Sequence, residues 1–255
     1  MGDEATGPRV VGVVQARMGS TRLPGKVLER IGDRPLVLRT VAAMQAVPSI
    51  AALVVATTSD PSDDPLVDVL TSAGVSVHRG PVHDVLRRVV EAAVPLDPDF
   101  VVRQTADNPF VDPTVVGGQI RQAVEHGLDY VGIAGWPLGI AAEVARWPAV
   151  LVADREATTP AEREHVMPFI YSRPKRFRIA GVPGSVRPAG RFTVDTPADL
   201  EFARRLAELL EDRLAGRAGE VPVLDDLRSI LAADTALAEL NERVAQRSWQ
   251  EAEVG

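Results

Sequence analysis

The chain has 255 residues, of which 45% are hydrophobic, so it is long enough to bury a sizeable core and is not a disordered protein. It contains no cysteine, which excludes disulfides, thiolate metal sites and cysteine nucleophiles. A net charge of −7 argues against nonspecific binding to nucleic acid but leaves room for a local anion site.

Short runs rich in β-branched residues alternate with longer helical patterns along the first half of the chain. Strands are predicted at 10–15, 52–57, 75–78, 99–104 and 128–133. Helices are predicted between them at 35–46, 63–73, 83–94 and 113–126. This alternation is typical of βαβ units, and it therefore predicts an α/β fold with a mainly parallel sheet.

The pattern is less regular after about residue 134. The stretch 135–148, with two glycines and two prolines, is predicted to be an irregular loop or lobe. A helix at 160–173 follows, and strand-like segments come next at 176–182 and 190–194. From 197 to about 247 the sequence predicts two or three helices, with a break near Gly216–Pro222. No internal repeat is present, so we predict one domain over residues 1–255.

The loop that follows the first strand carries the strongest functional signal. It reads QARMGSTRLPGK over residues 15–26 and contains three cations and two hydroxyl groups within ten residues: Arg17, Ser20, Thr21, Arg22 and Lys26. Glycine-containing loops at this position of an α/β sheet hold phosphates through their backbone N–H groups. The expected ligand is therefore the polyphosphate of a nucleoside triphosphate, and the alternative is an ordinary basic surface loop.

This loop does not match either of the common nucleotide-binding motifs. The P-loop motif GxxxxGK[ST] requires four residues between its glycines, whereas five separate Gly19 from Gly25. Val27 stands where the motif requires a hydroxyl that binds magnesium. The dinucleotide-binding pattern GxGxxG is also absent.

The loop does resemble the N-terminal signature of the cytidylyltransferases that make CMP-activated sugars, among them the CMP-acylneuraminate and CMP-deoxyoctulosonate synthetases. The branch typified by the spore-coat-polysaccharide-biosynthesis proteins is recognised by QARMGSTRLPGK, which is intact here. Five further blocks follow in the family's order: VATTSDPSDDPLV (55–67), HRGPVHDVLRRVVEAA (78–93), VRQTADNPFVDP (102–113), REHVMPFI (163–170) and RFTVDTPADLEF (191–202). The resemblance covers roughly residues 10–240.

The resemblance implies a three-layer α/β fold of the nucleotide-diphospho-sugar-transferase (GT-A-like) type, with a mostly parallel central sheet and a helical C-terminus. It implies transfer of CMP from CTP to a small anionic acceptor (a sugar acid, a sugar phosphate or a phosphonate) with release of pyrophosphate. It also implies a Mg²⁺ cofactor and a homodimer, with 135–175 as an acceptor or dimerisation lobe.

Two other functional classes stay open. A glycosyltransferase of related architecture would use a nucleotide-sugar, but such enzymes typically carry a DxD metal motif, and no convincing one follows the middle strands. A nucleotide-binding relative without turnover is suggested by two departures from the family pattern, Ala106 and Ala141.

The resemblance also implies which residues bind the nucleotide. Arg17 and Lys26 are the expected catalytic cations, because they can stabilise charge on the leaving pyrophosphate. The expected nucleotide-binding residues are Gln15, Ala16, Arg17, Gly19, Ser20, Arg22, Lys26, Arg79 and Asp84. Arg79 and Asp84 follow the strand at 75–78, beside the expected base pocket. The alternative for these two is an ordinary turn followed by a helix-terminal aspartate.

Asp107 and Asp195 are the expected metal ligands. Asp107 follows the strand at 99–104, and a carboxylate that faces a triphosphate needs a divalent cation between them. In the family this acid lies in a GDxP-type turn, which here reads Ala106-Asp107-Asn108-Pro109. Thr196 can cap the next helix by itself, which leaves Asp195 available as a second ligand. The alternative for both aspartates is a turn or helix-terminus role.

Glu143 and Arg163 are the expected acceptor-binding residues. The segment 139–143 resembles the family pattern Gly-Leu-Asp-x-Glu, with Ala141 in place of the aspartate and Glu143 retained. Arg163 begins an Arg-Glu-His segment on the helix predicted at 160–173, and this segment could face the acceptor or a dimer partner. A solvated helix face is the alternative.

The sequence also predicts where the protein works. No apolar run reaches the roughly 18–20 residues that a membrane-spanning helix needs. The start, MGDEATGPRV, is acidic and polar, unlike a signal peptide. We therefore expect a cytoplasmic protein with neither a membrane nor a nucleic acid as partner.

Overall fold

The computed structural model describes residues 7–181, 190–214 and 221–245. Its strands are β1 (Val10–Gln15), β2 (Arg30–Ile31), β3 (Arg34–Pro35), β4 (Ile50–Thr58), β5 (Val77–Gly80), β6 (Phe100–Thr105), β7 (Tyr130–Val131), β8 (Glu143–Arg146) and β9 (Ile179–Ala180). Its α-helices are α1 (Leu36–Gln45), α2 (Asp64–Ser72), α3 (Val85–Ala93), α4 (Pro113–Glu125), α5 (Trp147–Glu156), α6 (Pro160–His165), α7 (Pro168–Tyr171), α8 (Pro197–Arg213), α9 (Leu224–Ala233) and α10 (Thr235–Glu239).

In the described part of the chain, seven strands form one sheet in the order β5-β4-β1-β6-β8-β7-β9. The strands β5, β4, β1 and β6 are mutually parallel, whereas β8 runs antiparallel to β6 and β7. From β1 the chain passes to β4 and β5 on one side of β1 and then returns to β6 on the other side of β1. The carboxyl ends of β1 and β6, where Gln15 is the register partner of Thr105, therefore flank the point at which the strand order reverses.

The central strand β1 is covered on both faces. Val10 and Val14 pack in a cluster with residues of α1, α2 and α4, while Val11 and Val13 pack in a second cluster with residues of α3, α5 and α7. Alternate side chains of a strand point to opposite faces, so a doubly covered strand must be apolar throughout, as VVGVVQ nearly is. A third cluster joins α8, α9 and α10 to the β2–β3 hairpin.

The structure confirms the predicted fold class and most of the elements predicted for the first half. The strand predicted at 75–78 is shifted to Val77–Gly80, and only Tyr130–Val131 of the strand predicted at 128–133 is formed. The strand at 10–15 is found as predicted, and those at 52–57 and 99–104 correspond to β4 and β6. The four predicted helices correspond to α1, α2, α3 and α4 within two residues at either end. None of the described helices is long and apolar enough to cross a membrane.

Predictions for the second half are partly wrong. The stretch 135–148 is not irregular throughout, because Glu143–Arg146 forms β8 and α5 begins at Trp147. The short strand begins with a glutamate and gives no apolar run, while Pro148 lies in the first turn of α5, where a proline is tolerated.

The predicted single helix at 160–173 is also wrong, since the chain turns at Val166 and forms α6 and α7 instead. The segment 190–194 contains no regular strand, and its backbone at Arg191 forms an isolated β-bridge with Leu138. Within 176–182 the strand covers only Ile179–Ala180, and residue 182 lies outside the described residues. Most of the predicted helix break near Gly216–Pro222 also lies outside them.

Candidate active site

A cleft of about 310 Å³ opens at the carboxyl ends of β1 and β6. Nine residues predicted from the sequence line it: Gln15, Ala16, Arg17, Gly19, Ser20, Arg22, Lys26, Asp107 and Asp195. Five further residues complete the lining: Thr21, Val27, Thr105, Ala106 and His165. The fold therefore brings the cationic loop and both predicted metal-binding carboxylates to one place.

The path of the cationic loop is fixed at Met18. The Met18 N–H donates to a carboxylate oxygen of Asp63 at 2.7 Å, and the Met18 carbonyl accepts from the N–H groups of Ser20 and Gly25 at 3.0 Å each. Asp63 is almost fully buried and also accepts from the hydroxyl of Thr57 at 2.9 Å. Gly25 has φ 72°, a left-handed conformation that glycine adopts without strain. These contacts hold the loop over the end of β1.

Lys26 lies at the centre of the cleft floor, with only 8% of its surface exposed. Its ammonium nitrogen donates to Asp107 Oδ2 at 2.8 Å, to Asp195 Oδ1 at 2.9 Å and to the carbonyl oxygen of Val194 at 2.8 Å. Burial by itself would lower the pKa of Lys26, but the two carboxylates outweigh it and the pKa is raised. The side chain is therefore a fixed positive charge with all three of its donors used.

The Asp195 carboxylate forms ion pairs with three cations. Besides Lys26, it pairs with Arg22 at 3.1 Å and with Arg191 at 2.8 Å. Burial would raise the pKa of this carboxyl, but Lys26, Arg22 and Arg191 together lower it. The N-cap of α8 is Thr196, whose hydroxyl accepts from Asp199 N–H, so Asp195 does not cap the helix, while stabilisation of the helix N-terminus by its charge stays the alternative.

Asp107 is not a helix cap either, since Asp112 caps α4. Its second oxygen accepts from the hydroxyl of Thr105 at 2.6 Å. The preceding Ala106 is buried and has no positive φ, so alanine is accommodated there without backbone strain where the family has glycine. The other departure, Ala141, is also buried, and its carbonyl oxygen accepts from Gln104 at 3.1 Å.

The residues present fit a hard divalent cation shared with a phosphate ligand. Asp107 and Asp195 both bind one ammonium nitrogen, so two carboxylates from different segments are within reach of a single cation. Among the described residues, no three or more acidic or histidine side chains group closely enough to hold a metal by themselves. Two carboxylates completed by phosphate oxygens are typical of Mg²⁺ bound together with a nucleotide.

The four other predicted residues do not line this cleft. Arg79 donates to the carbonyl oxygens of Thr58 at 3.0 Å and Asp60 at 2.8 Å and pairs with Asp64 at 2.6 Å. Its guanidinium thus ties β5 to the start of α2. A contact between Arg79 and a base stays a prediction, while the turn named as its alternative is not observed at this residue, which lies on β5.

Asp84 and Arg163, assigned above to the base and to the acceptor, bind each other. Asp84 is the N-cap of α3, and both its oxygens accept from Arg163 Nε at 2.9 Å. Arg163 also donates to the carbonyl oxygen of Asp154 at 2.7 Å. The pair therefore joins α3, α5 and α6, and Arg163 does not lie on a solvated helix face.

Glu143 lies on β8 within a half-buried polar network. It pairs with Arg103 and accepts from the hydroxyl of Tyr130 at 2.8 Å. Arg103 also donates to Gln15 Oε1 at 2.8 Å, and Gln15 lines the cleft. The network therefore connects the predicted acceptor residue to the end of β1.

Sequence reasoning assigned no role to Asp199 and Asp63, which shape the site, and named His165 only within the Arg-Glu-His segment that could face the acceptor or a dimer partner. Asp199 is fully buried and holds Arg191 at 2.8 Å, and the Thr-x-x-Asp spacing of its capping box was a readable signal. Asp63, which fixes the loop at Met18, gave no comparable signal. His165 lies at the end of α6 and reaches the cleft because the chain turns immediately after it.

Comparisons with known proteins agree on the family. The family model described as cytidylyltransferase matches residues 11–219. The spore coat polysaccharide biosynthesis protein SpsF of Bacillus subtilis is 34% identical over 222 residues, which are 83% of this chain and 92% of that protein.

Two solved structures have a similar fold. A cytidylyltransferase from Leptospira borgpetersenii superposes with a TM-score of 0.81 at 23% identity, covering 94% of this chain and 100% of that one. A CMP:2-keto-3-deoxy-manno-octonic acid synthetase solved in complex with CTP gives a TM-score of 0.62 at 19% identity, covering 81% and 100%.

Proposed function

The chain belongs to the cytidylyltransferase family, and on that premise we propose that it transfers CMP from CTP to a small anionic acceptor with release of pyrophosphate. The acceptor is a sugar acid, a sugar phosphate or a phosphonate. The similar synthetase solved with CTP supports the choice of nucleotide.

One observation carries this proposal. Lys26, Asp107 and Asp195 converge at the switch point of the sheet, where ligands of open α/β folds bind, although they come from three separate segments. Arg17 and Arg22 line the same cleft and add positive charge for a triphosphate. A cleft lined by cations alone could bind any polyanion. Because the carboxylates of Asp107 and Asp195 lie among these cations, a phosphate ligand that binds together with a divalent metal ion is favoured.

The reaction is an attack of an acceptor oxygen on the α-phosphorus, so positioning and charge neutralisation supply most of the catalysis. Arg17 and Arg22 bind the phosphates from the loop, and Lys26 keeps a fixed positive charge on the cleft floor for the leaving pyrophosphate. Asp107 and Asp195 would hold Mg²⁺, which supplies neutralising charge at the phosphates when it is bound.

Release of pyrophosphate tests the proposal. The full chain is incubated with Mg²⁺ and each of CTP, UTP, ATP and GTP, together with 3-deoxy-manno-octulosonate, glucose 1-phosphate or an alkylphosphonate as acceptor. We expect release with CTP to exceed release with the other triphosphates. Comparable turnover of a purine nucleotide would contradict the assignment. A glycosyltransferase would release no pyrophosphate, and a relative without turnover would bind CTP and leave it intact.

A matched pair of arginines controls for unspecific charge effects. Arg22→Gln removes a cation of the cleft, while Arg228→Gln removes one from α9, where its side chain is 58% exposed. Only the first substitution is expected to weaken CTP binding measured by calorimetry. Equal effects of the two would mean that the net charge of the protein, rather than the loop, binds the triphosphate.

A further inference from the structure

His165 is a cleft residue to which the proposed function assigns no role. It lines the same cleft as Lys26, Asp107 and Asp195. Its Nε2 atom is enclosed by protein, whereas Nδ1 of the half-buried ring is not, and neither nitrogen has a hydrogen-bond partner among the described residues. A buried polar atom without a partner is costly, and such atoms in native structures call for an explanation.

The backbone next to His165 is strained. Val166 has φ 72° and ψ −58°, and the Met167 N–H donates to the His165 carbonyl oxygen at 2.9 Å, so the three residues form a γ-turn with positive φ. A β-branched residue rarely adopts this strained conformation. Val166 and Met167 are both fully buried, and their packing holds the turn. Strain kept in this way is concentrated at functional sites.

The charges around His165 favour a neutral ring. Arg103 on β6 and Glu143 on β8 face it, Glu164 precedes it on α6, and Arg17 across the cleft rim pairs with Glu164 at 3.8 Å. Burial lowers the pKa of His165 and Arg103 lowers it further, while the two glutamates oppose them in part. A neutral imidazole is able to take up a proton at neutral pH.

We propose that His165 is a catalytic residue that accepts the proton of an acceptor hydroxyl while that oxygen attacks the α-phosphorus of CTP. This inference rests on the proposed function. One bond forms between the acceptor oxygen and the α-phosphorus, and the bond from the α-phosphorus to the oxygen bridging to the β-phosphorus breaks. The hydroxyl proton goes to Nδ1 of the imidazole, the nitrogen that is not enclosed by protein, and pyrophosphate leaves with the electron pair.

A base in the cleft would serve only some of the possible acceptors. A hydroxyl group keeps its proton at neutral pH and needs a base in order to attack. An ionised phosphate or phosphonate oxygen has no proton to lose. A base in the cleft therefore favours a sugar acid, whose carboxylate carries the negative charge while a hydroxyl is the nucleophile.

The test compares His165→Gln with a matched control, His126→Gln, on an exposed histidine at the end of α4. Turnover is measured between pH 5.5 and 9 with 3-deoxy-manno-octulosonate, with glucose 1-phosphate and with water as acceptors. CTP affinity is measured by calorimetry, and folding by thermal melting. We expect His165→Gln to slow transfer to the hydroxyl acceptor by about 10²–10⁴, the usual contribution of a general base. The decrease of wild-type activity at low pH should disappear, and CTP affinity should not change.

Every other outcome would contradict the proposed role of His165. A loss below threefold, an unchanged pH profile or an equal loss with glucose 1-phosphate would overturn the role of His165 while leaving the cytidylyltransferase activity standing. A loss of CTP affinity in His165→Gln would make the residue a binding residue instead of a base. If wild-type protein released no pyrophosphate with any acceptor, the proposed function would fail, and the base role with it.

Discussion

At the scale of single residues, Lys26 determines the electrostatics of the cleft. It is one of only two lysines in the chain, and its three donors are all used within the protein. An ammonium group is a compact charge that fits between two carboxylates, whereas a guanidinium is a longer, planar fork. The site therefore depends on this residue type and not only on its charge.

We expect Lys26→Ala to reduce turnover of CTP by about 10²–10³, because it removes a fixed positive charge that stabilises the charge developing on pyrophosphate. Lys26→Arg should be only partly active. Steady-state rates at saturating CTP check both variants, and thermal melting separates a catalytic loss from unfolding. Near-wild-type rates in folded Lys26→Ala would remove the lysine from the mechanism.

The two carboxylates give a second prediction. Asp107→Asn and Asp195→Asn should each lose metal-dependent turnover while staying folded, because asparagine keeps the shape but not the charge. High Mg²⁺ should partly rescue the weaker ligand, which we expect to be Asp195. Turnover is measured against Mg²⁺ concentration, and Mn²⁺ binding in the presence of CTP is followed by electron paramagnetic resonance. A normal rate for Asp195→Asn would leave Asp107 as a single ligand.

At the scale of elements, the N-terminus of α8 connects the site to the helical C-terminus. Asp199 lies in the first turn of α8 and accepts from Arg191 at 2.8 Å and from the backbone N–H of Asp195 at 3.0 Å. Asn241, beyond α10, donates to Asp199 at 3.1 Å. The buried Asp199 carboxylate therefore fixes the segment that positions Asp195. It also binds Asn241, which lies far along the chain.

Asp199→Ala should lower the free energy of unfolding by about 3 kcal/mol. This is the lower end of the range for removing one partner of a buried ion pair, because Arg191 keeps its bond to Asp195. Urea unfolding measures the change. Asp225→Ala on α9, where the side chain is 92% exposed, is the control and should change stability by less than about 0.5 kcal/mol. Equal losses would show that the contacts of Asp199 add nothing specific.

At the scale of the whole molecule, buried carboxylates with cationic partners determine stability in acid. Burial would raise the pKa values of Asp195 and Asp199, but their partners lower both. A carboxyl whose pKa is lower in the folded state stabilises the fold above its unfolded pKa, near 4, and loses that contribution as pH falls through the folded value.

We therefore expect the free energy of unfolding to decrease as pH falls below about 4. Urea unfolding between pH 3 and 7 measures the slope. His165 should add a smaller decrease below about pH 6.5, because its pKa is lowered and the unfolded chain takes up that proton first. His165→Gln should abolish only this part. If the decrease in the free energy of unfolding below about pH 6.5 persists unchanged in His165→Gln, groups other than His165 cause it.

Patterns local in sequence predicted much of this protein. The period of the apolar residues predicted the strands and helices of the first half, because each period belongs to one backbone geometry. The spacing of Thr196 and Pro197 predicted a self-sufficient helix cap, and the structure confirms it. The cationic loop after β1 predicted a cleft for phosphates, and nine of the predicted residues line one cleft.

Contacts distant in sequence were decided only by the tertiary structure. Lys26 lies 81 residues before Asp107 and 169 before Asp195, and sheet register together with the return of the chain before α8 brings them together. Asp84 and Arg163, 79 residues apart, bind each other instead of lining the cleft. A strained turn at Val166 places His165 at the site. Local spacing limits backbone conformation, whereas packing between elements determines which charged side chains meet.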